Sequence, residues 1–184
     1  MQNKKIFESP KFKLIKSICP EIQSAEINDI LVQKVKKEQD KKLAEFNYKY
    51  LTDNLITANI LSKWNTEIPE NCVICRSCDN AEHLLFKCPL TRSCWEIVEK
   101  ALRINFTPKT FLKQAYPQEI NKVLAYISYF TYKFWIETSN KRVKRDLASL
   151  KNFIKKNCIW QDRIENIRGN PETSRHFASI SNEI

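Results

Sequence analysis

A single glycine, Gly169, serves all 184 residues of this chain. Hairpins draw on glycine for the positive-φ positions of their turns, and strand-rich sandwiches need many such turns. A chain this poor in glycine is better suited to long helices. Its seven prolines stand mostly near the ends of periodic segments, where a first helical turn accepts them. Hydrophobic residues make up 42% of the sequence, enough to close a core at this length. The expectation is an all-α fold: one helical domain with short arms.

Periodicity divides the chain. Residues 1–20 read as a basic N-terminal arm, residues 21–165 as the helical domain, and residues 166–184 as a flexible tail. Ile27, Ile30, Leu31 and Val35 form one stripe, with Ser24 as the expected N-cap. Leu43, Phe46, Tyr50 and Leu51 form another, and Thr57 restarts a short helix ending near Trp64. Pro89 opens a helix through Cys94, Ile97, Val98 and Leu102. Pro117 opens the longest, through Ile120, Val123, Leu124, Ile127, Phe130 and Phe134. A last stripe runs through Val143, Leu147, Leu150, Phe153 and Ile154. The end, "IRGNPETSRHFASISNEI", shows no clear period.

The stretch "CVICRSCDNAEHLLFKC", residues 72–88, packs four cysteines and a histidine together. Tetrahedral zinc takes four ligands, and two sets compete. Cys72, Cys75, His83 and Cys88 give C-x2-C-x7-H-x4-C. Cys75, Cys78, His83 and Cys88 give C-x2-C-x4-H-x4-C, the spacing of a retroviral zinc knuckle. Both pair thiolates two residues apart, and spacing leaves the choice open. Context separates them: the gap "DNAE" lacks the glycine a knuckle loop uses. The histidine also starts an apolar run, "HLLFKCPL", that feeds straight into a helix.

"NCVICRSCDNAEHLLFKCPLTRSCW" resembles the zinc-binding domain at the C-terminal end of non-LTR (LINE-type) retrotransposon reverse transcriptases. That family has a Cys-x2-Cys pair, a variable gap and His-Leu-(Leu/Phe)-(Phe/Trp)-x-Cys-Pro. A tryptophan follows seven residues past the last cysteine. Cys72, Cys75, His83, Leu84, Leu85, Phe86, Cys88, Pro89 and Trp95 match it. The helical flanks are similar from about residue 43 to 157. The resemblance implies a structural Zn2+ held by Cys72, Cys75, His83 and Cys88, with Cys78 a gap residue or alternative ligand. It also implies a CCHC finger embedded in the domain. Leu84, Leu85 and Phe86 are expected to pack near Trp64 and residues 120–136.

The net charge of +10, from 31 Lys+Arg against 21 Asp+Glu, favours a polyanionic partner. Residues 141–160 hold +6 of it: Lys141, Arg142, Lys144, Arg145, Lys151, Lys155 and Lys156 against Asp146. Interleaved with Leu147, Leu150, Phe153 and Ile154, they predict an amphipathic helix offering cations to phosphates. A second run, Lys34 to Lys42, is diluted by Glu38 and Asp40. No adjacent aspartates, phosphate loop or nucleophile set is present. No reaction is therefore expected of this chain by itself.

RNA or DNA is thus the expected partner, with the polymerase part of a retrotransposon protein as a further one. The alternatives are an interaction module docking on a polymerase or host protein, or a relic of a mobile element. No apolar segment follows the basic start, and seven cysteines fit a reducing setting. An intracellular ribonucleoprotein location, nuclear or cytoplasmic, is expected, without secretion or membrane insertion.

Overall fold

Caps and N-terminal prolines written into the sequence set where most of the helices begin. The computed structural model of the chain describes residues 12–141 and 145–184. Helix α1 (Lys13–Ile18) is followed by α2 (Ser24–Leu31), which runs on into a π-helical turn, Val32–Lys36. Gln23, not Ser24, is the N-cap of α2: its backbone N–H donates to the Glu26 carboxylate at 2.9 Å. Asp40 caps α3 (Lys41–Leu51), accepting from the Lys42 and Leu43 amides at 2.9 and 3.3 Å. Thr57 precedes the short α4 (Ala58–Leu61).

A second π-helical turn, His83–Lys87, leads into α5 (Pro89–Leu102), which ends at Arg103 in the left-handed region. Thr107 caps α6 (Pro108–Leu112), with the Thr110 amide donating to its hydroxyl at 3.0 Å. Helix α7 (Gln118–Lys141) is the longest of those described, and Asp146 caps α8 (Leu147–Ile167). Helix α9 (Pro171–Glu183) closes the fold. Among the described residues no strand forms; a lone antiparallel bridge joins Asn71 to Cys78. The protein is all-α.

The core is aromatic at its centre. Phe86 sits 5.6–6.0 Å, ring to ring, from Tyr50, Trp95, Phe106 and Phe111. Trp95 and Phe106 stack at 3.9 Å and 10°. Rings offset or tilted at such distances add about 0.5–1.5 kcal/mol per pair beyond the area they bury. Helix α7 runs past this cluster, with Val123, Leu124, Tyr126 and Ile127 buried. It also meets α8, where Phe134 and Phe153 lie 5.6 Å apart, ring to ring.

Three expectations are corrected. The segment read as a flexible tail is a packed helix. Thr173, Phe177, Ile180 and Ser181 of α9 are buried, and the helix lies against α5, α7 and α8. Its buried stripe alternates apolar groups with threonine and serine, so hydropathy alone hides it. The N-terminal arm is structured from Phe12 onward, with Phe12, Ile15 and Cys19 in the core; residues 1–11 of that arm lie outside the described residues. Trp64, expected beside the finger, is 74% exposed.

Candidate metal centre

The loop that carries the first two cysteines is held by its own backbone. Cys72 donates its amide to the Ser77 carbonyl at 2.7 Å, Arg76 to Cys72 at 2.9 Å, and Asp79 to Glu70 at 3.1 Å. Arg76 turns the loop in the left-handed region, φ 64°, a conformation that a side chain makes costly. Asn80 then starts the next element: its side chain accepts from the His83 amide at 2.8 Å, an N-cap by residue type and spacing.

The turn at His83–Lys87 aims the other two candidate ligands. In its wider winding the Cys88 amide reaches back to the His83 carbonyl at 2.8 Å. Pro89 has no N–H, so the ladder breaks there. The carbonyls left over are satisfied by side chains of α5. Thr91 donates its hydroxyl to the Leu84 carbonyl at 2.8 Å, and Trp95 its indole N–H to the Leu85 carbonyl at 2.7 Å. The Cys-Pro pair and the tryptophan seven residues on therefore do one job: they terminate the π-turn with its polar groups paired.

Cys72, Cys75, His83 and Cys88 converge. Their four donor atoms lie within 4.8 Å of one another. Cys72 Sγ is 3.9 Å from Cys88 Sγ, and Cys75 Sγ is 3.3 Å from His83 Nε2. Tetrahedral zinc, with Zn–S about 2.3 Å and Zn–N about 2.0 Å, demands S···S edges of about 3.8 Å and S···N edges of about 3.5 Å. The Cys72–Cys88 and Cys75–His83 edges are close to those lengths. Cys78 is outside the cluster: it is exposed, and its sulfur meets the Asn59 amide at 3.5 Å.

Electrostatics fit a cation as well. Burial pushes the Cys88 thiol up to about 12, and the neighbouring Cys72 adds to it against the Leu90 and Thr91 amides. For Cys75 burial also opposes ionisation, but hydrogen bonds from Ser77 outweigh it and its pKa falls. Burial lowers His83, with Asp79 opposing, so the ring is held neutral with a lone pair free. Thiolates this buried need a positive partner.

Two residues behind the centre, Asp79 and Trp135, were not singled out from the sequence, and a third, Arg145, was expected to contact phosphate instead. Asp79 is buried and accepts from the Trp135 indole N–H at 3.2 Å. Arg145 lies over the Trp135 ring, 5.0 Å from its centroid, and donates to Thr138 Oγ1 at 2.9 Å and to Ser139. It is near enough to Asp79, Cys72 and Cys88 for their charges to act on it. Three thiolates and a neutral imidazole around a divalent ion would carry one net negative charge, and Arg145 would be the nearby cation to offset it. Asp79 and Trp135 lie 56 positions apart, beyond any local pattern.

Arg145 thus corrects the expected basic helix. No continuous helix spans 141–156: α7 is described as far as Lys141, Asp146 caps α8, and Arg145 turns inward just ahead of that cap. Arg142 and Lys144 lie outside the described residues. Lys151, Lys155 and Lys156 are on α8, and Lys155 and Lys156 are exposed. Lys34 of the second basic run is buried beneath Phe111, its Nζ 3.9 Å from the ring centroid.

Residues 15–95 match the family model described as zinc-binding in reverse transcriptase. No curated protein and no solved structure matches the chain. No described helix is long and apolar enough to cross a membrane.

Proposed function

We propose that this chain is the zinc-held, nucleic-acid-gripping module of a non-LTR retrotransposon reverse transcriptase. One observation carries the reading. The four donors that converge lie within the matched segment, and they are tied into the core through Phe86 and Trp95. The zinc is structural in this reading, since four protein ligands leave no open position for water. The module has no reaction of its own. Its two most buried carboxylates are already engaged: Asp79 with Trp135, and Glu165 with Lys122, Gln161, Arg168 and Asn170. It works inside the cell, in a reducing setting where the thiolates persist.

The grip is electrostatic and runs through α8, with exposed Lys155 and Lys156 and half-buried Lys151, together with Lys141, Arg142 and Lys144, which precede it in the sequence. Arg145 is withdrawn from that surface. Phosphate contacts release counterions, so three such contacts on duplex DNA give a log–log salt slope of about −2.7. A salt titration of the wild type against a Lys151→Ala/Lys155→Ala/Lys156→Ala variant tests this. The variant's slope should flatten, with loss of affinity alike for all sequences. Equal affinities and slopes would overturn it.

A further inference from the structure

Helix α8 turns one stripe to the core, Leu150, Ile154, Cys158, Gln161 and Glu165. Its opposite stripe has no cover among the described residues. There Lys156, Trp160 and Arg163 follow one another at spacings of four and three, which stacks them along one helix face. Trp160 is 62% exposed, the largest such indole after Trp64, and Ile159 beside it is 40% exposed. A groove of about 470 Å3 runs between this stripe and α7, lined by Lys133 and Phe153 as well as Lys156, Trp160 and Arg163. Lys133 Nζ stands 5.8 Å from the Phe153 ring. The acid at the groove edge, Glu137, lies 3.9 Å from Lys133. Glu165 of the same helix points inward and is fully buried.

We infer that this groove binds single-stranded nucleic acid, with a base stacked on Trp160 and the flanking phosphates on Lys156 and Arg163. The inference rests on the nucleic-acid reading above and deepens it. Lys156 and Arg163 are about 10 Å apart along the helix axis, one on either side of the indole. Three cations against one paired acid select an anionic occupant. An indole that stands clear of the surface needs the flat face of an unpaired base; a duplex keeps those faces stacked inside. Stacking on aromatic side chains combined with a basic groove is how single strands are held without sequence preference.

The test uses the full, metal-loaded chain carrying Trp64→Phe, which leaves Trp160 as its exposed tryptophan; Trp95 and Trp135 are buried. The probes are a pyrimidine single strand, as RNA and as DNA, and a duplex of the same length. Trp160→Ala should weaken single-strand binding about tenfold or more and leave duplex binding within about twofold. Trp160→Phe, which keeps a ring, should fall between. Single strands should quench the exposed indole, and the duplex should not. Equal losses on both probes, or none on either, would overturn the inference while leaving salt-dependent binding through the lysines intact. Absence of binding to any strand at low salt would sink both readings. So would insertion of Trp160 into anionic vesicles with no affinity for nucleic acid.

Discussion

Trp95 donates its indole N–H to the carbonyl of Leu85 across 2.7 Å, ten residues back in the chain. The bond joins the finger to the helix that follows it, and Trp95 also stacks on Phe106. Trp95→Phe keeps most of the ring and removes the donor, leaving a buried carbonyl unpaired. The expected cost is about 2–4 kcal/mol, combining the lost partner with a small void. Denaturant unfolding at saturating zinc measures it. A loss under about 0.5 kcal/mol would mean the carbonyl finds another partner.

Metal content is expected to be one zinc per chain. Cys72→Ser should lose the ion, and Cys78→Ser should keep it, because the Cys78 sulfur lies outside the cluster of donors. Phe86 extends from the finger into the central ring cluster, so chelation should lower the melting temperature of the whole domain in one transition. A melting curve indifferent to chelator would separate finger from fold. The reverse pattern for the two cysteines would establish the knuckle-type ligands.

Lys34 is buried, and burial holds its ammonium down to about 7 from an ordinary 10.5, with Glu38 opposing. The unfolded chain therefore binds more protons than the folded one between about pH 7 and 10.5, and this group makes stability rise with pH across that window. Its penalty is complete below the folded value and gone above the unfolded one. Lys34→Met should stabilise by about 2–4 kcal/mol at pH 7, after allowance for the cation–π contact with Phe111. The gain should shrink toward pH 10. A difference that stays constant from pH 6 to 10 would count against this account.

Phe177 of α9 is buried against Tyr126, ring centroids 5.7 Å apart. Phe177→Ala should cost about 3–5 kcal/mol. Urea denaturation reads this directly; a near-neutral result would restore the view of residues 166–184 as a loose end.

Much of the helical layout was legible. Pro89, Thr107 with Pro108, and Pro117 mark helix starts by local chemistry, and the stripe through Val123, Leu124, Ile127 and Phe130 has a clean period. Spacing left two ligand sets for the metal, and family resemblance chose between them. What escaped was set by distant contacts. The α9 stripe is half threonine and serine, so it has no hydropathic signature. Arg145 reads as one more cation in a basic run, until Trp135, Thr138 and Ser139 draw it inward. Lys34 reads as a surface lysine, until Phe111 covers it. Asp146 reads as a diluting acid; as the cap of α8 it cuts the expected helix in two.

The burial of α9 against α5 and α8 has a consequence for synthesis. Cys88 leaves the ribosome about 90 residues before Ile180, which at roughly 5–20 residues per second is on the order of 10 s. Throughout that interval the hydrophobic centre is one wall short, while all four candidate ligands are already outside. An ion taken up as proposed would precede closure of the core and hold the finger's loop in shape while α9 is still being made. The order of assembly is written into the order of the chain.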